Sequence, residues 1–185
     1  GFILSILLLS ACSQQNAEYY YDNHPSGSSQ RAWNVRSFPL VVEVPDDLLP
    51  YQVSIENAGR AWNDALGQTV FVFSYRGAPN TQWTDSKASL FDDYFGLFKQ
   101  VDWKFSDVGN SVLAYTGTLS VDGEIQSADL IFNFDKFHFD DYDKNPANTN
   151  YIDFESVLVH ELGHFLGLGH ISASEDSGSV MLPTL

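Results

Sequence analysis

The sequence predicts an α+β domain: a twisted, mixed β-sheet with an antiparallel edge strand, packed on two helices. Three observations lead there. Two β-branched apolar runs, 38–44 (FPLVVEV) and 70–75 (VFVFSY), flank a segment with helical spacing. Two further apolar runs meet at Asp122-Gly123, a strong two-residue hairpin signal. A last helical segment, 152–166, leads directly into a histidine-rich motif.

The chain begins with an apolar run over 2–9 broken by Ser5. A spanning helix needs about 20 apolar residues, so this run is too short to cross a bilayer. It suits the apolar core of a secretory signal, whose basic start would precede Gly1. We therefore read the sequence as a fragment. The run ends Leu9-Ser10-Ala11-Cys12 and resembles the bacterial lipobox. That resemblance implies cleavage before Cys12, lipidation of its thiol and a membrane-anchored, extracytoplasmic protein. Ser13, rather than Asp, after the Cys points to the outer membrane. An ordinary secretory signal with a chance Cys is the alternative. Residues 1–11 are thus read as a signal remnant and 12–31 as the lipidated Cys with a flexible tether, polar and carrying Pro25 and Gly27. His24 is read as a solvated bystander.

The folded domain is expected over 32–185. Pro39 places the first strand at an edge or makes it the strand's beginning, and Pro45 stops it. A helix is expected over 47–66, with Val53, Ile55, Ala58, Ala61, Trp62 and Leu66 on its apolar face and Gly67 at its end. Residues 76–97 read as a long surface connection, and 101–106 as a short strand. The hairpin runs 112–120, turn, 125–134. An acidic loop over 135–150 follows, with Pro146 and three Asn.

Charge and cysteine content narrow the function. Twenty-four acidic residues against 9 basic ones give a net charge of −15, which argues against a nucleic-acid partner because phosphate binding needs clustered Lys and Arg. Cys12 is the one cysteine, so no intrachain disulfide can form.

The chemistry lies in 160–170, HELGHFLGLGH. His160 and His164 stand one helical turn apart and face the same way, so both imidazoles can reach one zinc ion. Glu161 adjoins the first of them, where its carboxylate can act as general base on zinc-bound water. Gly167 permits a sharp exit from the helix, which returns His170 as third ligand. Three protein ligands leave a fourth position open, as catalytic zinc requires. A chance occurrence of these five fixed residues has odds on the order of 10⁻⁵ in a chain of this size. Core histidines are the bland reading, and a metal site without turnover the stronger alternative; Glu161 argues against the latter.

The motif resembles that of the metzincin metallopeptidases, and within them most closely the matrixins. The resemblance extends to Ser179-Val180-Met181-Leu182-Pro183, with Met181 as the Met-turn residue, and more loosely to FPLVVEV, AWNDALG and ADLIFNF, covering about 35–185. It implies a metzincin catalytic domain and a zinc endopeptidase acting on extended protein or peptide substrates, in a bacterial branch. The substrate would pair with the sheet edge Val112–Ser120, with Tyr115, Gly117, Ser156 and Pro183 as candidate substrate-binding residues. The runner-up is a surface-anchored zinc-binding protein of the same fold. Matrixins carry a further helix after the Met-turn, so the domain is expected to continue past Leu185. Ile171 stands where the branch-defining residue is usually polar, and no thiol is available for a pro-segment that would block the zinc. For calcium, Asp141, Asp143 and Asn145 have the first spacings of a binding loop. Pro146 stands where such a loop wants Gly, and Ile152 where it wants Glu, so a solvated acidic loop is the preferred reading. His138 alone is too little for a second histidine-based zinc site.

Overall fold

The computed structural model describes the backbone of residues 18–21 and, with side chains, residues 31–75, 95–104, 109–141 and 151–183. Cys12, His24, Asp143 and Asn145 lie outside them.

Among the described residues, nine strands and two α-helices follow one another: β1 (Glu18–Tyr21), β2 (Ala32–Trp33), β3 (Leu40–Glu43), α1 (Gln52–Leu66), β4 (Phe71–Ser74), β5 (Phe95–Gln100), β6 (Ala114–Val121), β7 (Glu124–Asn133), β8 (Phe139–Asp140), β9 (Ile152–Asp153) and α2 (Phe154–Phe165). The main sheet has the order β1-β6-β7-β5-β3-β4, with β2 paired to the start of β7. β4, β3, β5 and β7 run parallel to one another; β6 is antiparallel to β7. This is the mixed sheet expected, packed on two helices.

The hairpin turn is as the sequence reads. Asp122 and Gly123 both have positive φ, 53° and 80°, which turns β6 back into β7 with the twist of the strands. Alternation along the strands then separates two faces. Leu97, Leu130 and Ala114 join the main core with Ile55, Leu158, Leu162 and Phe165 from the helices. Their neighbours Phe98, Ile131 and Tyr115 form a second cluster with Trp103. Both helices therefore pack on the face that carries Ala114 and Leu130.

Three expectations need correction. The helix begins at Gln52, not at 47; Asp46–Tyr51 is a 3-10 helix containing Pro50, whose missing N–H and fixed ring keep that segment out of the α-helical ladder. On α1, Ile55 and Ala58 are buried while Val53 is 64% exposed and Ala61 is exposed too, so the buried stripe runs through 54/55 and 58/59, with Trp62 half-buried beyond it. No strand forms over 101–104, the described part of the strand expected at 101–106; one lies at Phe95–Gln100 and begins inside the 76–97 stretch read as a surface connection. Gly96 hides it: its N–H donates to the buried Asp129 at 2.9 Å, and a Cβ there would come within 2.7 Å of the Phe98 ring. A small residue that packs closely thus reads as a break. Of the two readings of Pro39, the strand beginning holds: β3 is internal, between β4 and β5, and Pro39 precedes its first residue.

The most consequential correction concerns the expected edge. Glu18–Tyr21, read as tether, adds to β6 as an antiparallel strand, with Tyr21 opposite Gly117 and Glu18 opposite Ser120. Residues 117–120 are therefore not an edge, and Ala114–Thr116 lie beyond that pairing. Among the described residues, no helix is long and apolar enough to cross a membrane.

Candidate metal centre

Helix α2 forms because its apolar positions, Phe154, Val157, Leu158, Leu162 and Phe165, recur at three- and four-residue spacing against the sheet. Asp153 caps its start, accepting from the Ser156 N–H at 2.9 Å and the Ser156 hydroxyl at 2.6 Å. Phe154 stacks between Tyr51 and Phe132 at 4.3 and 4.4 Å. Burial and the negative charges of Asp140 and Asp141 push the Tyr51 phenol up, so it stays a neutral donor to the Phe139 carbonyl at 2.9 Å. The indole N–H groups of Trp62 and Trp33 donate to the Val159 and Phe165 carbonyls of the same helix.

The helix stops where the motif needs it to. The Gly167 N–H donates to His164 O at 2.8 Å and the Leu168 N–H to Gly163 O at 3.0 Å, a Schellman ending. Gly167 sits at φ +92°, and a Cβ there would lie 2.6 Å from the Arg31 carbonyl. Glycine is required on both counts. The chain then returns, placing the His170 Nε2 3.2 Å from that of His160 and 3.1 Å from that of His164; the last two are 3.0 Å apart.

Those separations decide what the cluster can hold. The His160 Nδ1 lies 2.6 Å from Val180 O and the His164 Nδ1 2.8 Å from Leu168 O. A carbonyl can only accept, so each Nδ1 carries the proton and each Nε2 turns a lone pair inward. Lone pairs that converge repel one another unless a cation lies among them. Tetrahedral zinc with bonds of about 2.0–2.1 Å sets its nitrogen ligands about 3.3 Å apart, close to the spacing observed. His160 and His164 are 7% and 3% exposed and His170 is partly buried, so the donors fit one zinc ion and leave a side open. Among the described residues this is the one such convergence of three potential ligands.

Two more groups complete the site. Met181, 5% exposed, lies directly under Gly163, between the two helical histidines in sequence. Its carbonyl accepts from the Ile171 N–H at 3.0 Å, tying the turn to the residue after His170. The intervening loop closes on Glu175, which accepts from the Ser172 N–H and hydroxyl at 2.7 and 2.8 Å; those bonds hold its carboxyl below the usual range. Glu161, 6% exposed, accepts a hydrogen bond of 2.8 Å from the Thr116 hydroxyl on β6. Thr116 escaped sequence reasoning because nothing local marks a residue 45 positions from its partner.

The other candidates scatter. The Tyr115 side chain packs edge-on to Trp103 at 6.0 Å, on the sheet face away from α2. Gly117 pairs with Tyr21 of β1. The Ser156 hydroxyl is engaged in the helix cap. Pro183 is exposed after the Met-turn. His138 is exposed, and its carbonyl accepts from the Ile152 N–H. Of the candidate calcium residues, Asp141 is buried and accepts from the Ser54 hydroxyl.

A mixed sheet, a helix carrying two histidines, a glycine exit to a third and a methionine turn beneath them make a metzincin catalytic domain. The matrixin family model matches residues 81–185. The chain belongs to the matrixin family, whose members depend on zinc. It is 32% identical to Metalloendoproteinase 2-MMP of Arabidopsis thaliana over 134 residues, 60% of this chain and 35% of that protein. It is 29% identical to Matrix metalloproteinase-25 of Homo sapiens over 159 residues, covering 82% and 24% respectively. Over 45 residues it is 49% identical to Metalloendoproteinase 1 of Glycine max, covering 24% and 13%. The chain thus spans about a third or less of the length of these relatives.

Proposed function

We propose that this chain is a zinc-dependent endopeptidase that hydrolyses peptide bonds in extended protein or peptide substrates. The observation that carries the reading is the convergence of three Nε2 atoms within 3.0–3.2 Å, with a buried carboxylate on the residue following the first histidine. His160, His164 and His170 would hold the metal, two of them oriented by Nδ1–H bonds to backbone carbonyls. When bound, zinc supplies a Lewis acid that polarises the scissile carbonyl and lowers the pKa of water to about 7. Glu161 accepts the proton of the attacking water and delivers it to the leaving amine. Met181 supports the floor of the site through its contact with Gly163.

The substrate lies extended and pairs antiparallel with β6, beginning at Ala114–Thr116 beside Glu161. β1 and a longer substrate use the same strand from Gly117 onward, so they compete. On the same reading 32–185 is the catalytic domain of a bacterial branch. Cys12, at the end of an apolar run, carries a lipid that anchors it outside the cytoplasm.

The test is cleavage of a mixed peptide library by the zinc-loaded chain, with and without a chelator, beside Glu161→Ala. Chelator-sensitive cleavage that the variant lacks is the expected result. A folded chain that binds one zinc ion and cleaves nothing would replace this reading with a metal-binding protein without turnover.

A further inference from the structure

We propose that Thr116 is a positioning residue that holds the carboxylate of Glu161 in its working orientation. This rests on the reading of Glu161 as general base and adds a residue from the sheet to that site. Thr116 is 1% exposed, and its Oγ1 lies 2.8 Å from Glu161 Oε2 and 3.1 Å from the carbonyl oxygen of the same residue. A hydroxyl has one hydrogen to give. The shorter contact is to the charged group, and a bond to a carboxylate is about twice as strong as one between neutral groups. The hydroxyl therefore donates to Oε2.

The placement is not what packing alone selects. Thr116 shares the helix-facing side of β6 with Ala114, and its register partner on β7 is Leu130. Both neighbours belong to the apolar core. A hydroxyl at such a position is costly unless it is bonded, and valine would fill the same volume without that cost. β6 is also a rigid support, bonded to β7 along its whole length. Glu161 has three side-chain torsions. With Oε2 tied to the sheet, its carboxylate cannot swing with the solvent, and the remaining oxygen keeps one direction. A proton acceptor must already point at the water for transfer to be fast.

The experiment compares Thr116→Ser, Thr116→Ala and Thr116→Val in the full chain. Ser and Ala both lose the methyl and differ in the hydroxyl; Val keeps the volume and loses the hydroxyl. The proposal expects Ser to retain kcat within about 3-fold. Ala and Val should each lose on the order of 10- to 100-fold in kcat, with KM and one bound zinc retained. The reverse pattern, with Val active and Ser and Ala both impaired, would assign Thr116 to packing and overturn the proposal. If Val does not fold, the Ser–Ala pair decides by itself. A readout apart from turnover is the zinc-loaded crystal structure of Thr116→Ala, in which the Glu161 carboxylate should leave its position; finding it unmoved would also overturn the proposal. Absence of chelator-sensitive cleavage by the parent chain would instead sink the general-base reading, and the crystal comparison would then decide Thr116.

Discussion

Replacing Gly163 with alanine should weaken zinc binding although Gly163 has no side chain to donate to the metal. Gly163 lies on α2 between His160 and His164, and its missing Cβ is where Met181 rests. An added methyl would run into Met181 Sδ, with Met181 Cε and Trp62 Cζ2 each 3.0 Å away. Met181 is 5% exposed, so its side chain has little room to turn aside. The turn must shift, and two contacts shift with it: Val180 O on the His160 Nδ1 at 2.6 Å and Met181 O on the Ile171 N–H at 3.0 Å. The first orients a candidate ligand, and the second holds the chain next to another. Disturbing such outer contacts costs about 10- to 100-fold in metal affinity. We expect the lower figure, about 1.4 kcal/mol, because the methyl is small. The fold itself should suffer less. Alanine gains about 1 kcal/mol over glycine inside a helix, against about 1–3 kcal/mol for overpacking. The metal-free variant should therefore lose about 1 kcal/mol, or roughly 3 °C in Tm. Competition with a chromogenic chelator measures the affinity, and calorimetry of the metal-free chain measures the fold. Combining the change with Met181→Ala should recover part of the zinc affinity, since the shortened side chain makes room for the methyl. Parental affinity in Gly163→Ala, or strictly additive effects in the double variant, would refute the argument that the turn props the ligands.

Two further outcomes follow from the structure. Gly167→Ala forces a Cβ onto φ +92° and to 2.6 Å from Arg31 O, so the metal-free chain should lose about 2–4 kcal/mol and about 10 °C in Tm, and zinc affinity should fall as His170 is displaced; a Tm loss under about 2 °C by calorimetry would show that the helix exit tolerates a side chain. A chain beginning at residue 31 lacks β1, which competes for the β6 edge within the same molecule, so KM for long peptides should drop several-fold with kcat little changed; equal KM values would mean that β1 and substrate do not share the edge.

Much of the site is legible in the sequence because it is local. His160 and His164 at four-residue spacing, Gly167 as exit and His170 three residues on all lie in one segment, where helical geometry alone dictates what faces what. The Asp122-Gly123 turn is legible for the same reason, since its two positive φ values are properties of those two residues. Legibility fails where backbone pairing or packing over distance decides. Phe95–Gln100 is a central strand whose glycine, required by the Phe98 ring and the Asp129 carboxylate, reads as a break. Glu18–Tyr21 lies in a polar stretch and becomes a strand through β6, which supplies the hydrogen-bond partners its own composition does not announce.

Residues 160–170 alone point to the family, the candidate ligand triad and the candidate base, because their chemistry is written in spacing along one helix and its exit. The folded sheet and helices place Met181 under Gly163, bring Thr116 from the sheet to Glu161 and give part of the expected substrate edge to the chain's own N-terminal strand. Each of these joins residues far apart in the chain. Such contacts form only when the sheet has brought its strands into register, and no periodicity within a segment encodes that register.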